Sequence, residues 1–196
     1  MKPSEVHWAD PIFQPQRRLK VICIGAGASG LLIAYKLQRH FADFDLTVYE
    51  KNEDVSGTWF ENKCACDIPS HNYTYSFEPK ADWSATYASS EEIHGYFKQF
   101  AVKYGLKKYI QLQHTVTGAR WGEKEAMWHV TVLNTVTQEI LEDTCHVLIN
   151  AAGYLNTWKW PSIPGLQDYN GKSLHSASWD PSISLQDQVV GVIGNG

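Results

Sequence analysis

The chain has 196 residues and a formal charge of -4, enough for one domain or for one domain and the start of another. Its charges are mixed in sign with no Lys/Arg block, which argues against a nucleic-acid partner. No apolar stretch is long enough for a membrane span and the polar start Met1-Lys2-Pro3-Ser4-Glu5 is no signal peptide, so a soluble, cytoplasmic protein is expected. Of the four cysteines, Cys23 and Cys145 fall in apolar runs and Cys64 and Cys66 form a Cys-x-Cys. That pattern gives neither a secreted disulfide framework nor a common zinc spacing, and no metal site is expected.

Residues 1–18 carry three prolines and no periodicity, and are expected to be a surface arm. Lys20-Val21-Ile22-Cys23-Ile24 then predicts a parallel strand buried on both faces, and it breaks into Gly25-Ala26-Gly27-Ala28-Ser29-Gly30. This Gly-x-Gly-x-x-Gly spacing suits a turn out of a strand, a close approach to a pyrophosphate and tight helix packing, with the helix N-terminus facing the phosphates. Glycine-rich turns are common, so context decides. Leu31, Ala34, Tyr35, Leu37, Gln38 and Phe41 lie at helical spacing, and Asp45–Tyr49 reads as a second strand ending in Glu50. A carboxylate there accepts hydrogen bonds from an adenosine ribose, and a free 2′-hydroxyl suits FAD or NAD better than NADP at this first site.

After a polar turn, Gly57, Thr58 and Trp59 offer backbone donors, a hydroxyl and a flat wall. Residues 64–87 are polar, aromatic and irregular, as functional loops tend to be, and Asp67 is the only acid in their first part. Ser89-Ser90-Glu91-Glu92 is a capping box that opens a helix with an apolar face of Ile93, Tyr96, Phe97, Phe100, Ala101 and Tyr104, stopped by Gly105. Strands are expected at 109–113, 115–121, 126–133 and 138–141, and a parallel strand at 145–149 that leaves through Asn150-Ala151-Ala152-Gly153. Ala152 and Gly153 would admit a cofactor at a strand's C-terminal edge. Finally, Gln188–Gly196 repeats the opening signal, a strand running into Gly194-Asn195-Gly196, without a third glycine. The expected fold class is α/β: a Rossmann-like domain with a parallel sheet and a β-meander, followed by the first strand of a second nucleotide-binding domain.

The constellation resembles the Baeyer–Villiger monooxygenases, class B flavin monooxygenases, and especially their fungal members. The most specific match is the motif Phe-x-Gly-x-x-x-His-x-x-x-Trp, met here by Tyr169, Gly171, His175 and Trp179 with tyrosine first. The two Gly-x-Gly signals flank it in the family's order, FAD then NADPH. The resemblance implies that Gly25, Gly27, Gly30, Glu50, Thr58, Trp59, Asp67, Tyr73 and Val116 contact FAD, Val116 through backbone beside the adenine. Asp67 would also lie near the nicotinamide and act catalytically, Ala152 and Gly153 would approach FAD, and Gly194 and Gly196 would serve NADPH. It also implies the division 1–18 arm, 19–160 FAD-binding domain, 161–187 linker bearing the motif, and 188–196 start of an NADPH-binding domain. The implied reaction uses FAD, NADPH and molecular oxygen to turn a small-molecule ketone into an ester or lactone through a C4a-peroxyflavin, in secondary metabolism.

Two departures from the family pattern are visible. The stretch between Trp59 and Asp67 lacks the family's Tyr-Pro-Gly, and the chain ends early in the NADPH domain, so the 196 residues by themselves are expected not to turn over. A heteroatom-oxygenating flavin monooxygenase and a non-catalytic FAD-binding remnant stay open as alternatives. A nicotinamide-only dehydrogenase fits least, because a meander rather than a continuous doubly wound sheet follows the first site.

Overall fold

The computed structural model describes residues 18–180 and 182–194. The arm expected over 1–18 lies outside the described residues except for Arg18. Four strands make a parallel sheet in the order β3-β2-β1-β7: β1 (Leu19–Ile24), β2 (Phe44–Tyr49), β3 (Ile110–Gln111) and β7 (Val147–Asn150). A separate antiparallel meander joins β4 (His114–Gly122), β5 (Met127–Asn134) and β6 (Ile140–Cys145). Helices α1 (Ala28–His40) and α3 (Ser90–Lys103) are the long ones, and α2 (Thr58–Glu61) is a single turn.

Strand alternation explains the three layers. Successive side chains point to opposite faces, and on β1 Val21 and Cys23 join one buried cluster while Ile22 joins another. The first cluster takes Leu46 and Val48 of β2 and is roofed by Leu31, Ala34 and Tyr35 of α1 and Ile93, Phe97 and Phe100 of α3. The second sets Ile22 and Tyr49 against Val130, Val132 and Cys145 of the meander. The sheet is therefore covered on both sides, as the continuous apolar run at 21–24 requires.

Helix α3 begins as its sequence predicts. The Ser89 hydroxyl accepts from the Glu92 amide, but Glu92 turns to Ser84 instead of closing the capping box. Gly105 ends the helix in the left-handed region. Three strand boundaries differ from expectation, the first being β6, expected over 138–141 and found at Ile140–Cys145. Cys145 closes β6 and the parallel strand starts at Val147, because the apolar run 145–149 belongs to two sheets and turns at His146, whose Nδ1 accepts the Lys20 amide. The strand at 109–113 shrinks to Ile110–Gln111 because residues 106–109 form a 3-10 turn. The strand expected over 188–196 is not formed in its described part: a strand exists through its pairing, and no described segment lies alongside 188–194 to supply one.

The two sheets are pinned together by Asp143 of β6, which accepts from Lys20 Nζ (2.5 Å) and the Tyr49 hydroxyl (2.8 Å). Burial alone would raise the Asp143 carboxyl, but these hydrogen bonds outweigh it and hold its pKa below the usual value. A carboxyl lowered on folding contributes stability that is present above its unfolded pKa and lost as pH falls through the lower folded value. Asp143→Asn is therefore expected to remove part of the acid limb of a stability–pH curve, below about pH 4. Chemical denaturation at pH 3 and pH 7 would check this, and an equal loss at both values would contradict it.

Candidate functional site

Three chain segments leave the sheet at one edge. β1 runs into Gly25, β2 into Glu50 and β7 into Ala151, so the C-terminal ends of three neighbouring strands open on the same crevice. Central β1 has β2 on one side and β7 on the other, and such a reversal of strand order is where open α/β sheets take ligands.

The glycine loop is closed by backbone contacts. Gly25 has φ +97°, and a Cβ there would stand 2.8 Å from the Ala151 carbonyl oxygen. A Cβ on Gly30 would stand 1.9 Å from the Gly25 oxygen. Gly27 is the N-cap of α1, with no side-chain cap bond and no acid in the first turn. The first amides of this helix therefore face the crevice with neither a capping oxygen nor a carboxylate of the same turn to occupy them, which suits an anion.

Glu50 is 3% exposed. One carboxylate oxygen accepts the Ala26 amide at 2.7 Å and the other the Asn52 amide at 2.9 Å. The residue thus braces the glycine loop to the end of β2, and each oxygen retains further acceptor capacity for a ribose hydroxyl. Donors for phosphate and an acceptor for ribose lie together, and on this donor set the residues fit a dinucleotide such as FAD.

The turn after β2 packs on the same loop. Ser56 N–H donates to the Ala26 carbonyl (3.0 Å), and a Cβ on Gly57 would stand 3.2 Å from Gly27 Cα. Thr58 and Trp59 open α2. The Trp59 ring meets Tyr73 edge-on at 4.6 Å, and the Tyr73 hydroxyl donates to Asp67 at 2.9 Å. Burial and the neighbouring carboxylate push the Tyr73 hydroxyl up to about 12, so it keeps its proton and remains the donor. Trp59, Asp67 and Tyr73 thus form one group beside the glycine loop, despite the short stretch between Trp59 and Asp67.

Val116 lies on β4 just before a bulge and packs against the second buried cluster. Ala152 borders Gly25, while Gly153 has φ +76° with open space around it. In the motif, Tyr169 lies over Gly171, and His175 stacks on Trp158 at 4.6 Å. Trp179 lines an open cleft of about 360 Å³ with Lys51, Asn52, Phe60, Trp158 and Ala177, which places the motif beside the end of β2. Gly194 has φ +96° with nothing near its Cβ position, and Gly196 lies outside the described residues.

Sequence reasoning missed three contributors. Trp158 supports His175, the Tyr75 hydroxyl donates to the Ala28 carbonyl in the first turn of α1 (2.5 Å), and Ser56 holds a strained backbone. All three act across long sequence separations, and no local pattern marks them. Among the described residues no group of three His, Cys, Asp or Glu side chains is placed to hold a metal ion, and no helix is long and apolar enough to cross a membrane.

Fold and site together define a Rossmann-like α/β protein with a crevice whose residues fit a dinucleotide. A family model described as "NAD(P)-binding Rossmann-like domain" matches residues 23–100. By sequence the chain is similar to FAD-binding and Baeyer–Villiger monooxygenases. It is 44% identical to the FAD-binding monooxygenase tazF of Aspergillus terreus over 95% of this chain and 34% of that protein. With a Baeyer–Villiger monooxygenase of Streptomyces coelicolor it shares 36% identity over 93% of this chain and 34% of the relative. The crystal structure of OTEMO in complex with FAD and NADP superimposes with a TM-score of 0.70 at 32% identity, covering 83% of this chain and 30% of that one. The chain thus spans about a third of the length of the curated relatives it matches.

Proposed function

We propose that this chain supplies the FAD-binding part of a Baeyer–Villiger type monooxygenase that uses NADPH and molecular oxygen on a ketone. The observation that carries the reading is the convergence, at one sheet edge, of the uncapped α1 N-terminus, the Glu50 carboxylate and the Ala151–Ala152 backbone. The relatives' names and the FAD and NADP of the OTEMO complex support it. Bound FAD would supply the redox and oxygen-activating chemistry.

In this reading the residues divide the work along the cofactor. Gly25, Gly27 and Gly30 let the backbone close on the pyrophosphate, with Ala152 and Gly153 across the crevice. Glu50 accepts from the ribose, and Val116 offers backbone beside the adenine. Thr58, Trp59 and Tyr73 wall the flavin end. Asp67 accepts a hydrogen bond from the Tyr73 hydroxyl at one oxygen and keeps the other for cofactor or nicotinamide. Tyr169, Gly171, His175 and Trp179 couple this part to a second nucleotide domain beginning near 188, with 19–160 as the FAD-binding domain and 161–187 as the linker. In this reading the enzyme is cytoplasmic and acts in secondary metabolism.

Incubation with FAD, NADPH and oxygen, offered either a cyclic ketone or a thioether, tests this. Retained flavin with lactone from the ketone supports the proposal in full. Retained flavin with neither product leaves a FAD-binding portion that needs further chain for turnover. Sulfoxide without lactone would move the protein to the heteroatom-oxygenating class.

A further inference from the structure

Ser56 is 2% exposed and has φ +95°, a conformation that side-chain-bearing residues rarely adopt. Its neighbours explain how it stays there. The Ser56 Oγ lies 2.8 Å from His94 Nδ1 on α3 and 3.4 Å from the His94 carbonyl, and its N–H donates to Ala26 in the glycine loop. On the far side of the imidazole, His94 Nε2 is 3.5 Å from Asp54 Oδ2, which also binds Lys98. The Phe60 ring lies tilted against the imidazole, with centroids 5.6 Å apart. With its proton on Nε2, facing Asp54, the imidazole presents Nδ1 as an acceptor for the Ser56 hydroxyl.

We propose that His94 is a positioning residue for the dinucleotide: through Ser56 it holds the 56–57 turn against the N-cap of α1 and so sets the width of the phosphate crevice. This rests on the FAD-binding reading above. The mechanical path is short. Gly57 bears on Gly27 itself, so any relaxation of Ser56 toward ordinary backbone angles moves the wall of the crevice. Burial lowers the His94 pKa below its usual value even though Asp54 opposes the shift, which favours the neutral imidazole, and the Asp54 contact at Nε2 then leaves Nδ1 as the acceptor. Asp54 in turn orients the ring, as a carboxylate does for a histidine whose other nitrogen has a task.

The test compares His94→Ala, His94→Asn and His94→Gln, each with and without Ser56→Gly, for FAD dissociation constant by titration and for amide hydrogen exchange of the apoprotein. His94→Ala is expected to weaken FAD about tenfold and to speed exchange at residues 56–58 more than along α3. Asparagine, whose amide reaches the place of Nδ1, should rescue most of the loss. Glutamine, which reaches the place of Nε2, should not. Glycine at 56 adopts φ +95° without strain, so in the Ser56→Gly background His94→Ala should cost little affinity. An unchanged FAD constant in His94→Ala beside a normal wild type would overturn this inference alone. Equal losses with and without Ser56→Gly would reduce His94 to general packing and overturn it too. A wild type that binds no FAD would overturn the parent reading and this one with it.

Discussion

Gly30→Ala is expected to abolish flavin retention and to destabilise the apoprotein by about 3 kcal/mol. The added Cβ would stand 1.9 Å from the Gly25 carbonyl oxygen, and both partners are backbone: Gly30 is locked in the first turns of α1, while Gly25 is locked between β1 and Ala151. Neither can swing aside as a flexible side chain would. Relief requires α1 to lift from the sheet, which opens the cluster built on Leu31, Ala34 and Cys23 and displaces the helix N-terminus from the crevice. Thermal unfolding of the apoprotein and the absorbance of protein purified with FAD would check both parts. A variant that keeps its melting point and its flavin would show that the loop has room the geometry denies.

Glu50→Gln carries the second large effect. The native carboxylate accepts two backbone amides, one on each oxygen, in a site nearly closed to solvent. A glutamine has one oxygen and one amide group, so whichever way it turns a donor faces a donor. A buried amide left unpaired costs about 1–3 kcal/mol, and the ribose loses a charged acceptor. The expected result is a lower melting point together with FAD affinity reduced roughly tenfold to a hundredfold. Loss of stability with unchanged affinity would make Glu50 a brace for the glycine loop and nothing more.

Much of this was legible from the residues. The run at 20–24, the glycines, the helical stripe and Glu50 specify a βαβ unit because each imposes a local constraint: burial on both faces, a backbone turn, an amphipathic face, a strand end. The capping box at Ser89 and the stop at Gly105 bound α3 for similar reasons. What escaped depends on tertiary contact. Cys145 and Val147 are equally apolar, and only the change of sheet at His146 separates them. The apolar run at 188–194 has the composition of a strand but no described partner to pair with. Ser56 and His94 are distant in sequence, and nothing in either neighbourhood announces a positive φ held by an imidazole.

In the proposed reading the crevice recognises the adenosine and pyrophosphate of a dinucleotide. Calorimetric titration with FAD, FMN and ADP tests it most directly. FMN carries the flavin but lacks the second phosphate, ribose and adenine, while ADP carries those and no flavin. The site described here predicts measurable binding of FAD and ADP and little of FMN. Binding of FMN as tight as FAD, with none of ADP, would contradict it.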